Sequence, residues 1–108
     1  MDGEVAIVTG GTGRIGRGVC RALTKAGVTV AALEWGRDGI RVNALCPIAW
    51  PTPNPDHPLF QEAIATSPLH RIGDPEEDIG PVVVFLAGPG RYITGRTLHV
   101  DGGHGTFR

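Results

Sequence analysis

Residues 4–16, "EVAIVTGGTGRIG", decide how the rest of the chain is read. Glu4 to Thr9 is a short, continuous apolar run that ends in a glycine cluster. Continuous rather than alternating apolarity suits a strand buried on both faces of a parallel sheet. Gly11, Gly13 and Gly16 then satisfy G-x-G-x-x-G. That spacing lets the chain turn tightly out of a strand and brings its backbone up to a pyrophosphate with no Cβ in the way. The following helix aims its N-terminal amides and positive dipole end at the anion. Downstream, Ile15, Val19, Ala22, Leu23 and Ala26 recur at helical spacing, and Lys25 falls in the last turn. Gly27 stands where a left-handed helix C-cap belongs. A second strand is expected to begin at Val28, completing β–turn–α–β within about 30 residues, the context in which the motif signals dinucleotide binding.

Val28 to Gly36, "VTVAALEWG", admits two readings. Its β-branched start suits that second strand, and Glu34, 18 residues past Gly16, then falls near the position of an acid that bonds an adenine ribose. The competing reading of Glu34 is a solvated carboxylate on a helix face. Ala31, Ala32, Leu33 and Glu34 read as helix, and no Gly, Pro, Asn or Asp separates the two halves. Beyond a turn at "GRDG", Ile40–Cys46 reads as another strand. Pro47, Pro51, Pro53, Pro55 and Pro58 follow in a loop that excludes regular structure. A short helix is expected over Phe60–Thr66. In "GDPEEDIGPVVVFLAG", Asp74 is the N-cap, Pro75 the first helical residue, and Glu77 completes a D-x-x-E capping box. Pro81 kinks this helix, which ends near Ala87–Gly88, and a last strand covers Thr97–Val100.

The composition narrows the class of protein. At 108 residues and 41% apolar content, the chain makes one ordinary domain with a modest core. A net charge of −1 and a pI near 6.4 give no basic field for nucleic acid or an anionic membrane surface. No apolar run is long enough to span a bilayer, and no secretory leader is visible. Cys20 and Cys46 form no C-x-x-C motif or disulfide framework and read as buried thiols of a reducing cytoplasm. His57, His70, His99 and His104 lack metal-ligand spacing, and "HVDGGH" reads as a flexible polar terminus. No metal site is expected.

On these motifs the sequence resembles the short-chain dehydrogenase/reductase family. "VTGGTGRIGRG" is similar to its cofactor loop, fitting T-G-x-x-G-x-x-G through Thr9, Gly10, Gly13 and Gly16. "EWGRDGIRVNALCP", "PLHRIGDPEEDIGPVVVFLAG" and "YITGRTLHVDGG" resemble, in order, the helix end and strand after the family's catalytic helix, its last long helix and its last strand. The resemblance implies NAD or NADP as cofactor, with Gly10, Thr12, Gly13, Arg14, Ile15 and Gly16 in the pyrophosphate loop and Glu34 at the ribose. The family's P-G-x-x-x-T segment, whose backbone and threonine meet the nicotinamide carboxamide, reads "PIAWPT" here. Pro47 and Thr52 match, and Ile48 replaces glycine. That replacement is tolerable at negative φ and strained at positive φ.

The family's serine and Y-x-x-x-K pair, which move the proton, have no counterpart. The only tyrosine is Tyr92, the only lysine Lys25 and the only serine Ser67. No catalytic residue is therefore assigned, and whether the chain is an enzyme is left open.

The family's parallel sheet runs 3-2-1-4-5-6-7, and this chain matches strands 1, 2, 6 and 7. The expected architecture is α/β: one truncated Rossmann-like domain over 1–108, joining a cofactor-loop half (1–30) to a C-terminal half (31–108). Unpaired interior strand edges are costly, so strands 1 and 6 should pair directly, giving four strands in the order 2-1-6-7 with helices on both faces. Three functions follow: an NAD(P)-dependent oxidoreductase with impaired catalysis, a non-catalytic nucleotide-binding module that keeps the ADP half of the site, or a ligand-free interaction fragment. The last would pair with itself or a full-length relative through the last helix and strand. Neither the substrate nor the choice between NAD and NADP follows from the sequence, since Glu34 suits NAD and Arg14 suits a 2′-phosphate.

Overall fold

The computed structural model describes the backbone of residues 5–9 and residues 27–49, 54 and 56–104. Within these, strand β1 (Val5–Thr9), helix α1 (Thr29–Trp35), strand β2 (Arg41–Pro47), helix α2 (Pro58–Thr66), helix α3 (Gly80–Ala87) and strand β3 (Thr97–Val100) follow one another. The sheet is parallel throughout, in the order β1-β2-β3. β1 lies directly against β2, with Val5 opposite Arg41 and Thr9 opposite Leu45. β3 takes the other side of β2, with Ala44 opposite Thr97 and Pro47 opposite Val100. Strands 1 and 6 of the family order are therefore neighbours, as the cost of unpaired interior edges requires.

The strand expected at Val28 is not there. Gly27 and Val28 already turn helically into α1, so the described sheet has three strands in the family order 1-6-7, without strand 2. Gly27 is accordingly not a left-handed cap; among the described residues the left-handed glycines are Gly39, Gly95, Gly102 and Gly103. Packing explains the outcome. Val28 and Ala32, one helical turn apart, bury together against Val42 and Ala44 of β2. The strand preference of Val, Thr and Val is worth at most about 1 kcal/mol and yields to such a contact.

β2 is the structural centre, buried from Val42 to Cys46. Side chains alternate across a strand, so Val42 and Ala44 face α1 while Arg41, Asn43 and Leu45 face the other way. Arg41 reaches the end of α3 on that second side, donating from Nη2 to the Leu86 carbonyl at 2.6 Å. Helices thus cover both faces, with Leu45 and Leu86 the large side chains fully removed from solvent.

The other elements follow their local signals. α2 starts at Pro58, behind a His57 N-cap whose ring accepts from the Leu59 N–H. Asp74 caps the next helical segment as expected, accepting from the N–H groups of Glu76 and Glu77 at 2.8 Å. The reciprocal bond of the capping box comes from Asp78, not Glu77: Asp78 Oδ2 accepts from the Asp74 N–H at 2.7 Å. The reason is a wide π turn over Pro75–Ile79, which carries position 78 rather than 77 back over the cap. Pro81 has no N–H for the carbonyl four residues back, and the regular α-helix begins at its neighbour Gly80. The segment after β3 is not a loose end. Gly102 and Gly103 lie against Ser67 and Pro68, and His104 Nε2 is 2.9 Å from Thr66 Oγ1.

Candidate functional site

Three parallel strands give the sheet a carboxyl edge, where β1 and β2 end side by side, and an amino edge roughly 20 Å away, the length of β2 at about 3.3 Å per residue. Ligands of open α/β sheets bind outside the carboxyl edge. Thr9 closes β1 at that edge, and the chain enters the glycine loop from there. Gly10, Thr12, Gly13, Arg14, Ile15 and Gly16 lie outside the described residues, as do Lys25 and Thr52.

Ile48 is described and leaves the same edge from β2. Its φ is not positive, since His70 is the one non-glycine residue of that kind among those described, so isoleucine replaces glycine without backbone strain. Its N–H donates to the Val100 carbonyl at 3.0 Å. Ala49 bridges Gly73 in parallel, and a Cβ placed on Gly73 would come within 2.7 Å of the Ile48 carbonyl oxygen. The segment is thus tied into the sheet on both sides. Ile48 has no N–H left for a nicotinamide carboxamide, and the described residues do not fit that half of a dinucleotide.

Glu34 lies elsewhere. It is exposed in the last turn of α1, which leads through Gly36–Asp38 and the left-handed Gly39 into the start of β2. That is the amino edge, so the structure does not bring Glu34 to the end of β1. Tyr92 is also at the amino edge, fully exposed in the turn ahead of β3, where Gly95 donates to the Val42 carbonyl. Ser67 is buried at the end of α2, against Gly102. The chain's only tyrosine and only serine are separated by the length of the sheet.

Two positioning residues escaped the sequence reading. Arg41 donates to the carbonyls of Leu86, Gly90 and Ile93, closing the C-terminal end of α3 with a cation where the helix dipole favours one. Asn43, wholly buried, donates from Nδ2 to the Ile93 carbonyl and accepts at Oδ1 from the Arg96 N–H. Both fasten residues 90–96 beside β2. Their signal was present: two polar residues at alternate positions of an otherwise apolar strand must find partners if the strand is buried.

The clearest electrostatic feature lies beside the π turn. Arg71 bonds Asp78 through both guanidinium nitrogens, at 2.6 and 2.7 Å. This pairing, with the Asp74 N–H, holds the Asp78 carboxyl well below the usual carboxylate range and raises Arg71. The pair is exposed and fixes the turn that follows Gly73. Among the described residues no three His, Cys, Asp or Glu side chains gather to hold a metal, and no helix is long and apolar enough to cross a membrane. Cys46 is a buried thiol, and Cys20 lies outside the described residues.

The sequence profile described as "Enoyl-(Acyl carrier protein) reductase" matches residues 6–105. A 12α-hydroxysteroid dehydrogenase from Clostridium sp. is 38% identical over 95% of this chain and 44% of its own length. Among solved structures, an enoyl-(acyl-carrier-protein) reductase from Anaplasma phagocytophilum in complex with NAD superposes with a TM-score of 0.79 at 27% identity, over 97% of this chain and 45% of that one. A hydroxysteroid dehydrogenase from Escherichia coli gives 0.77 at 26% identity, over 94% and 46%. The chain thus spans somewhat under half the length of these relatives. A parallel sheet with helices on both faces, a glycine loop leaving its first strand and a match over residues 6–105 lead to one conclusion: the chain belongs to the short-chain dehydrogenase/reductase family.

Proposed function

We propose that this chain is a nucleotide-binding member of its family that holds NAD or NADP through the loop Gly10, Thr12, Gly13, Arg14, Ile15 and Gly16 and does not itself transfer hydride. The observation that carries the reading is the placement of the chain's only tyrosine and only serine. Tyr92 stands in solvent at the amino edge, and Ser67 is enclosed at the end of α2. A general acid must come within hydrogen-bond reach of its substrate; Tyr92 is on the edge away from the end of β1, and the Ser67 hydroxyl is enclosed. Glu34 is left out of the site, because α1 carries it to the opposite edge. Thr52 stays a candidate for the second segment, and Ile48 contributes there only as a wall. A buried Cys46 thiol agrees with a reducing, cytoplasmic setting. The test is turnover with NADH and NADPH across a carbonyl panel, read at 340 nm, beside calorimetry with NAD. Binding without turnover is the expected result; turnover well above background overturns the reading.

A second reading has its own observation. Val84 and Phe85 on α3 and the neighbouring Tyr92 are exposed, and β3 pairs on one side only among the described residues. An apolar helix face beside an open strand suits association with a second copy or a full-length relative. Light scattering after size exclusion, alone and with such a relative, tests this: a lone 11.3 kDa species in both runs removes it.

A further inference from the structure

Charge is divided between the two ends of the described sheet. Among the described residues the arginines are Arg37, Arg41, Arg71, Arg91 and Arg96, and all but Arg71 lie ahead of or at the start of β2 or β3, at the amino edge. Arg41 is engaged by the carbonyls of Leu86, Gly90 and Ile93. Arg37, Arg91 and Arg96 are exposed, and none is ion-paired among the described residues, where the pairs are Arg71–Asp78 and His99–Asp101. Glu34 and Asp38 offset part of this charge. Two aromatic side chains share the edge, Trp35 nearly half exposed and Tyr92 wholly so.

The backbone that carries these side chains is fixed. Asn43 holds the Ile93 carbonyl and the Arg96 N–H, the Val42 N–H donates to Thr94 Oγ1 at 3.1 Å, and the Gly95 N–H donates to the Val42 carbonyl at 2.7 Å. Gly95, at φ +70, sets this turn against α1: a Cβ on it would lie 3.3 Å from the Ala32 Cβ, one helical turn before Trp35. Side chains presented from an ordered turn have little backbone freedom left to lose on binding. Arginine, tryptophan and tyrosine are also the residue types that dominate the binding energy of protein interfaces.

The other end carries the complementary charge. Gly73 bridges Ala49 just beyond the end of β2, and the exposed Asp74, Glu76 and Glu77 follow. Arg71 is matched by Asp78, so no base among the described residues balances Glu76 and Glu77. The eight residues of α3, about 12 Å of helix, run from this end toward Arg41, and the two charge sets are not paired within one copy. With a net charge of −1, one copy repels another only weakly.

We propose that the amino-edge surface of Trp35, Arg37, Arg91, Tyr92 and Arg96 docks the acidic turn at residues 74–77 of a second copy of this chain. The contact is head to tail, so two joined copies still have one basic and one acidic end unused. It does not involve the apolar face of α3. Exposed ion pairs are individually weak and are screened by salt, so the association belongs to low ionic strength.

Sedimentation velocity on the whole chain tests this. At about 20 mM salt the mass should exceed the 11.3 kDa of one copy, and the dissociation constant should weaken at least about tenfold by about 500 mM. Arg91→Glu with Arg96→Glu, and separately Glu76→Lys with Glu77→Lys, should each run as a monomer at low salt. Their equimolar mixture should regain a two-copy species. Circular dichroism checks that both variants are folded. Glu76→Gln with Glu77→Gln, which adds no positive charge at the helix start, should weaken association at least about threefold. Val84→Ser should leave it unchanged. A native chain that is monomeric at low salt, an assembly indifferent to salt, folded variants whose mixture stays monomeric, or dispersal by Val84→Ser each overturns the proposal. So does a chain that stays monomeric while binding a single-stranded oligonucleotide.

Discussion

Asn43 occupies the middle of β2, and its amide joins the Ile93 carbonyl, which also accepts from Arg41, to the Arg96 N–H. Removing it would leave the Arg96 N–H without that acceptor, and an orphaned buried group costs about 1–3 kcal/mol. Asn43→Ala should therefore lose about 1–3 kcal/mol in urea denaturation at pH 7. Ser67 is equally enclosed, but its Oγ has no hydrogen-bond partner among the described residues, with Gly102 packed against it. The hydroxyl is desolvated without compensation, so Ser67→Ala should be neutral or stabilising by up to about 1 kcal/mol. The opposite ranking, with Asn43→Ala harmless and Ser67→Ala costly, would refute this account of the interior. Sequence alone could not separate the two, because only their partners in the fold distinguish them.

At the scale of elements, the turn from residue 71 to 80 is fixed by charge rather than by burial. Asp78 serves two groups at once, the Arg71 guanidinium and the Asp74 N–H. Both favour the ionised form, so its folded-state pKa lies below the ordinary 3.8. A carboxylate depressed on folding contributes stability that is complete above the unfolded pKa and is lost as pH falls toward the folded one. The stability gap between the native chain and Asp78→Asn should be widest near neutrality and narrow progressively below about pH 4. A gap that is flat from pH 7 to pH 3 would show that the pairing does not couple to folding. The cap at Asp74 and the proline at 75 were legible, because capping is a local matter of residue type and spacing. The π turn was not. It depends on how Pro81 and the packing of α3 shift the turn before it, and that shift hands the reciprocal bond from Glu77 to Asp78. Val28–Val30 went astray similarly, since the contact that made them helical lies on β2, a strand still ahead in the chain.

For the molecule as a whole, the pairing of β1 with β2 is the arrangement on which everything at the carboxyl edge depends. It was legible because strands matching the family's first and sixth cannot both keep interior edges unpaired. The placement of α1 and α3 on opposite faces was not written in any local pattern. The pairing can be tested directly. The Cα atoms of Ala6 and Val42 are register partners on adjacent strands. A disulfide requires Cα atoms within about 7 Å, which neighbouring strands satisfy and a separation of three strand spacings, roughly 14 Å, forbids. In a background with Cys20→Ser and Cys46→Ala, the double substitution Ala6→Cys with Val42→Cys should oxidise to an intramolecular cross-link, read by non-reducing peptide mapping. The bond closes a loop long enough to add about 3–4 kcal/mol in the chain-entropy account if the site accepts it without strain. Failure to form it under mild oxidant, with the chain folded by circular dichroism, would mean that β1 does not lie beside β2.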